Sequence, residues 1–183
     1  MVDVGTGDGR FVHRTAHAHP DWWVVGLDPA WRTMIPSARR CARAGLSNAL
    51  FVCASAENPP EPLLGLADEV HVQLPWGRLL SGVVLGEAEI VAGLRALARV
   101  GASLRVVVGT DIWRAPVPKE IRGLPELTSR HVDDVLAERL AAGGWKIVDF
   151  RPVEPDDVSS TWARRLSSGR AEPSFVELRA EAA

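Results

Sequence analysis

Gly5, Gly7 and Gly9 fall within five residues, with Asp3 just before them and Asp8 among them. Glycines at that density let a backbone turn sharply and approach a ligand closely. Two ligands suit such a turn. A dinucleotide loop reads G-x-G-x-x-G and offers bare N–H groups to a pyrophosphate. Here the order is G-x-G-x-G, and carboxylates at Asp3 and Asp8 would repel a pyrophosphate. S-adenosylmethionine (SAM) carries an ammonium and a sulfonium, which carboxylates attract. The pattern favours SAM over NAD, and either ligand over a plain tight turn. Asp28 follows Gly5 by 23 positions, close to the roughly 20 at which a carboxylate grips ribose hydroxyls. NAD and SAM proteins share that acid, so Asp28 supports the fold more than the choice of cofactor. An exposed strand-end aspartate is the plainer alternative.

Arginines and tryptophans are the other candidates. Arg32, Arg39, Arg40 and Arg43 gather around one helix, and Arg164, Arg165 and Arg170 form a second group. A solvated helix face and a phosphate-binding face explain the first group equally well. The chain holds seven tryptophans and no tyrosine. Trp22, Trp23 and Trp145 sit at strand starts and read as packing residues. Trp76 follows Leu74-Pro75 at the end of a strand, and Trp162 lies in a polar loop flanked by arginines. An indole in such a loop reads as a stacking platform, with a loop-pinning role as the alternative. Cys41 and Cys53 form no CxxC, and the five histidines form no HExxH, so no metal site is expected.

These residues need elements to hold them. Apolar runs predict strands over Val2–Val4, Trp23–Asp28, Leu50–Ala54, Glu69–Leu74, Leu104–Thr110, Lys146–Arg151 and Ser174–Arg179. Helices are expected over Arg10–Ala18, Ser37–Ala44, Glu87–Ala98 and Val132–Ala142, the last stopped by Gly143-Gly144. The alternation implies an α/β fold with a mostly parallel sheet. Seven strands, the last two joined by a loop and the last antiparallel, match the Rossmann-like class I methyltransferase layout. Two connections, about 111–127 and 152–172, are long for a compact domain and read as target-recognition loops. At 183 residues, 46% of them hydrophobic, one domain over 1–183 is expected. Net charge is −2, so no global basic signal points to nucleic acid. No apolar run reaches the roughly 20 residues that span a bilayer. The chain starts directly in a strand and has little cysteine, which reads as a cytoplasmic protein.

The chain resembles the kanamycin–apramycin resistance methyltransferases, which modify N1 of adenosine 1408 of 16S rRNA. The likeness is carried by Asp3-Val-Gly-Thr-Gly-Asp-Gly9, Ala54-Ser-Ala-Glu57, Leu74-Pro-Trp-Gly77, Trp113-Arg114, Ala142-Gly-Gly-Trp145 and Ser160-Thr-Trp-Ala-Arg-Arg-Leu166. Their order and spacing fit across nearly the whole chain. The glycine loop is generic, whereas Pro75-Trp76-Gly77 and the Trp162 segment are specific. The family pattern has an extension before the glycine-loop strand, and here Met1 already stands in that strand. Two positions after Arg170 the family is often basic, and here Glu172 stands there.

The resemblance implies roles. Asp3, Gly5, Thr6 and Gly7 would shape the pocket for the methionine part of SAM, with Leu74 also in cofactor contact. Asp28 would bind the ribose, and Ala56 and Glu57 the adenine. Trp76 and Trp162 would sandwich a flipped target adenine, with Ser160 orienting the base or the loop. Arg165 and Arg170, and also Arg39, Arg40 and Arg43, would hold rRNA phosphates. The expected partner is 16S rRNA in the assembled 30S subunit, bound by a monomer, with no membrane. Three other readings remain: a tRNA guanine-N7 methyltransferase, a non-catalytic RNA-binding module with a degenerate SAM pocket, and, more distantly, an NAD oxidoreductase.

Overall fold

The computed structural model describes residues 1–154 and 174–183. The chain opens with β1 (Val2–Val4), α1 (Arg10–Ala18), β2 (Val24–Leu27), α2 (Trp31–Arg43) and β3 (Ala49–Val52). Then come β4 (Ala67–Gln73), α3 (Gly77–Leu85), α4 (Ala88–Leu97) and β5 (Ala98–Gly109). The last part holds α5 (Ser129–His131), a π-helical turn (Val132–Leu136), α6 (Ala137–Ala142), β6 (Trp145–Val153) and β7 (Phe175–Ala182). The strands form one sheet in the order β3-β2-β1-β4-β5-β7-β6. β1 pairs parallel with β2 and β4, while β7 runs antiparallel between β5 and β6. The strand order reverses at β1, so a crevice opens at its carboxyl end.

Alternation along the strands divides the side chains between two faces. Val2, Val4, Val70, Val72, Leu104 and Val106 join one core with Leu80, Ile90 and Leu94 of α3 and α4. On the other face Val12 and Ala16 of α1 pack with Val24. Val12 and Ala16 are four apart, one face of a helix, which is why α1 forms where the apolar spacing places it. Asp3 lies between Val2 and Val4 and so belongs to this second face, with its register partner His71.

Several expectations are corrected. α2 begins at Trp31 and runs through Pro36, although a proline inside a helix removes one backbone hydrogen bond. Its first turn carries Thr33, which donates to Gly7 O of the glycine loop. α3 is a whole helix that Gly77 and Gly82 hide, since each lowers helix propensity, and Gly86 ends it in a left-handed cap. Gly82 is there for packing: a Cβ would meet Ile90 Cγ1 of α4 at 2.3 Å. Strands β4 and β5 begin earlier than expected, and β6 and β7 extend further, because β5, β6 and β7 pair over most of their length. Trp22 and Trp23 precede β2 and are 38% and 62% exposed, so they are not core residues, whereas Trp145 is buried. The helical stretch ending at Gly143 starts at Ser129 and contains the π-helical turn. Among the described residues no helix is long and apolar enough to cross a membrane.

Candidate functional site

The carboxyl ends of β1, β2 and β4 and the loop after β3 surround a cleft of about 660 Å³. Gly5, Thr6, Gly7, Asp28, Ala56, Glu57, Leu74 and Trp76 all line it, so the residues expected at the cofactor, Asp3 excepted, share one cavity with Trp76. Asp3 does not line it and lies buried one strand position before Val4, which does. Arg39, Arg40 and Arg43 stand exposed near the C-terminal end of α2, away from the lining residues. Ser160, Trp162, Arg165 and Arg170 lie outside the described residues.

The glycine loop is fixed from several sides. The Gly5 and Thr6 N–H groups donate to Leu27 O at 2.8 and 3.2 Å. The Gly7 N–H donates to Asp28 Oδ2 at 2.9 Å, while Asp28 Oδ1 accepts from the Ala30 N–H at 2.7 Å. Both carboxylate oxygens are thus oriented by backbone donors and keep lone pairs for a further donor. From α2, Thr33 Oγ1 donates to Gly7 O and the buried Ser37 Oγ to Asp8 O, at 2.7 and 2.6 Å. Gly7 and Gly9 both have left-handed φ, at 57° and 69°. Their surroundings differ. A Cβ on Gly9 would sit 2.5 Å from Phe51, whereas one on Gly7 meets nothing within 4 Å. Gly9 is required by packing, and Gly7 leaves open space beside the cleft that a ligand can use.

Asp3 is an acid out of reach of water. Burial raises its pKa from 3.8 to about 7, opposed by Thr6 and assisted by the nearby charge of Asp28. Neither Asp3 Oδ1 nor Thr6 Oγ1 has a partner in hydrogen-bonding geometry. A ligand that brings a positive charge here would relieve both conditions. At the other end of the cleft, Glu57 is held below the ordinary carboxylate range. Its own backbone N–H is the main cause, with Ser55 and Arg78 adding to it against desolvation. The donor set therefore fits SAM: an acid and open backbone at the methionine end, Asp28 for vicinal hydroxyls, and Glu57 beside Ala56 for an adenine.

The acceptor side is built differently. Leu74 is the one described non-glycine residue with positive φ, at 49°, and its N–H is held by Val107 O at 2.8 Å. Such a backbone costs roughly 1–2 kcal/mol. It turns the chain out of β4 so that Pro75 and Trp76 line the cleft rather than continue the strand. Trp76 caps α3 in extended conformation and is 52% exposed, available to stack on a flat ring.

Pattern reading passes over several residues of this site. Gln73, Arg78 and Leu79 line the cleft too. Arg78 pairs with Glu57 at 3.4 Å and Glu89 at 3.2 Å, and with Glu87, joining the cleft to the α3–α4 turn. Nothing in the sequence marks those three acids as partners of one arginine. Thr33 lies outside the helix expected over Ser37–Ala44, and Ser37 stands there only as its first residue.

Sheet order and cleft together define a class I SAM-dependent methyltransferase fold. Residues 1–181 match the family described as "NpmA: 16S rRNA (adenine(1408)-N(1))-methyltransferase", and the chain belongs to that family. A 16S rRNA (adenine(1408)-N(1))-methyltransferase from Streptoalloteichus tenebrarius is 41% identical over 177 residues, covering 93% of this chain and 81% of that one. The crystal structure of a mutant 16S rRNA (adenine(1408)-N(1))-methyltransferase from Catenulisporales acidiphilia, with cosubstrate SAM, superposes with a TM-score of 0.92. It is 51% identical, over 99% of this chain and 84% of that one. The 16S rRNA methyltransferase KamB is 39% identical, with a TM-score of 0.87 over 100% of this chain and 86% of its own.

Proposed function

We propose that this chain transfers the methyl group of SAM to N1 of adenosine 1408 of 16S rRNA in the 30S subunit, and so confers aminoglycoside resistance. The observation that carries this reading is that the fixed glycine loop and the exposed indole of Trp76 line one cleft. SAM supplies an electrophilic methyl on a sulfonium. Asp3, Gly5, Thr6 and Gly7 hold its amino-acid end, Asp28 its ribose, and Ala56, Glu57 and Leu74 its adenine side. N1 of neutral adenine has a free lone pair, so no protein base is needed to create the nucleophile. N1 lies on the Watson–Crick edge, so the base must leave its stack. Trp76 offers the unstacked base a ring, and Trp162 is assigned the opposite face by resemblance, with Ser160 orienting that loop. Catalysis is then positioning more than acid–base chemistry.

The whole chain acts as one domain, with 111–127 and 152–172 as recognition segments, and works as a cytoplasmic monomer on assembled subunits. Arg39, Arg40 and Arg43 contact rRNA phosphates from α2, where all three are exposed. Arg165 and Arg170 add contacts from the second segment. The test is primer extension on 16S rRNA from cells that express the chain. Methylation at N1 blocks pairing, so the polymerase is expected to stop at adenosine 1408. An unblocked transcript from cells with soluble, SAM-binding protein would overturn the reading.

A further inference from the structure

We propose that Gln73 reads the edge of the target base. Its side-chain amide pairs with the N6 amino group and N7 of the adenine stacked on Trp76, and leaves N1 uncovered for the methyl group. The proposal rests on the function above and adds to it a residue that decides which base is accepted.

Gln73 is the last residue of β4 and lines the cleft between the glycine loop and Pro75-Trp76. Neither its Oε1 nor its Nε2 has a hydrogen-bond partner, and both atoms are shut off from water. Buried polar groups in folded proteins are overwhelmingly paired, and an unpaired amide carries its desolvation penalty with nothing to offset it. An amide in that state beside a binding cleft gains most from a partner that arrives with a ligand. Rotation between staggered side-chain conformers carries the amide toward the cleft without moving the strand.

The chemistry of the amide selects the partner. It offers an acceptor and a donor side by side. Adenine presents the complementary pair, an N6 donor and an N7 acceptor, and glutamine is one of the two side chains that read it bidentately. Guanine presents two acceptors there, O6 and N7, so the same amide satisfies only one of them. The amino-acid end of the cofactor separates into a cationic and an anionic group, and Asp3 with the glycine loop already provides for the cation. Position agrees with the base as partner. Gln73 stands three residues before the exposed indole of Trp76, and the left-handed backbone of Leu74 brings Trp76 back beside the strand end.

The test uses the full chain, SAM and purified 30S subunits. Wild-type protein is first required to produce the primer-extension stop. Its absence overturns the functional reading and this proposal with it. Given the stop, Gln73→Leu is expected to keep its melting temperature and a SAM Kd within about twofold of wild type by calorimetry. At saturating SAM its kcat/KM for subunits is expected to fall roughly 10- to 100-fold. Gln73→Glu keeps an acceptor for N6 and loses the donor for N7, so it is expected to fall between the two. It also serves as the test should the leucine variant fold poorly. In binding alone, wild type is expected to prefer subunits with adenine over guanine at the target position, and Gln73→Leu to lose that preference. A leucine or glutamate variant with wild-type kcat/KM overturns the proposal. So does a SAM Kd that weakens in step with the rate, which would assign Gln73 to the cofactor.

Discussion

On one wall of the cleft, the glycine loop is tied to β2 and α2 by five hydrogen bonds from or to Gly5, Thr6, Gly7 and Asp8. On the other wall, Leu74 sits in a strained backbone, Gln73 has an unpartnered amide, and Trp76 presents half its surface to solvent. The cofactor wall is pre-organised, and its donors and acceptors are already aimed. The acceptor wall carries unmet interactions that a large flat ligand can satisfy. On the proposed function, a site that admits a flipped base from a ribosomal subunit cannot close its aromatic surface in advance. A small, always available cofactor permits the opposite arrangement.

The pre-organised wall is unmet at Asp3 and Thr6, and the largest expected effect comes from Asp3. Its pKa of about 7 in the folded chain exceeds the ordinary 3.8. Below about pH 4 the carboxyl is protonated in both folded and unfolded chains and costs nothing. Between about pH 4 and 7 the unfolded chain loses the proton while the folded chain keeps it, so stability falls as pH rises. Above about pH 7 both are ionised and the penalty stays constant, on the order of 4 kcal/mol. Asp3→Asn is therefore expected to remove that downward slope and to stabilise the ligand-free chain at pH 8, while weakening SAM binding. Urea melts at pH 5 and pH 8 check it. Equal pH slopes in both proteins would place the ionisation elsewhere.

The acceptor wall is probed through its indole. Base–aromatic stacking contributes roughly 1–3 kcal/mol per base, or about 5- to 150-fold. Trp76→Ala is expected to lower methylation of 30S subunits within that range and to leave SAM affinity little changed, because Trp76 lies at the cleft's acceptor end. Trp76→Phe is expected to keep part of the rate. Equal loss in both variants would mean that the ring's indole N–H or its fit as the cap of α3, rather than stacking, is what matters.

A third contrast sets Asp28 against Trp76. Asp28→Ala removes the acceptor for the Gly7 N–H and, with it, the ribose contact proposed for this carboxylate. SAM affinity is expected to fall about tenfold, a loss near 1.4 kcal/mol, with subunit binding intact. If calorimetry finds SAM affinity unchanged in a folded variant, Asp28 only braces the loop.

Legibility in the sequence differs between the walls as well. The meeting of the glycine loop with Asp28 is legible because it is local: Gly5, Gly7, Asp8 and Asp28 lie within 28 residues, and a βαβ unit has few ways to fold. The ends of α1 and the residues of β1 also follow from apolar spacing alone. Trp76 was readable as an indole at a strand end, but the helix behind it was not. Gly82 lowers helix propensity and is tolerated because Ile90 of α4 needs the space, a tertiary fact absent from any local window. The same holds for Arg78, whose three acidic partners come from two other segments. Trp22 and Trp23 misled in the opposite direction, since hydrophobicity places an indole inside while the start of β2 leaves both exposed.

The smallest expected effect tests whether the pre-organisation matters for binding at all. Ser37 is buried in α2, and its hydroxyl donates to Asp8 O at 2.6 Å across 29 residues of sequence. Ser37→Ala keeps the helix, since alanine is the better helix former, and leaves that carbonyl without this donor. The loss of one such bond is expected to cost about 1 kcal/mol. If the loop is held ready for the cofactor, part of that cost appears as a SAM affinity about two- to fivefold weaker, because binding must then also order the loop. The rate at saturating SAM should not change, since the acceptor wall is untouched. A Ser37→Ala chain that loses thermal stability but binds SAM with wild-type affinity would show that α2 supports the fold and not the readiness of the loop. The contrast between the two walls would then rest on Leu27 O, Asp28 and Thr33.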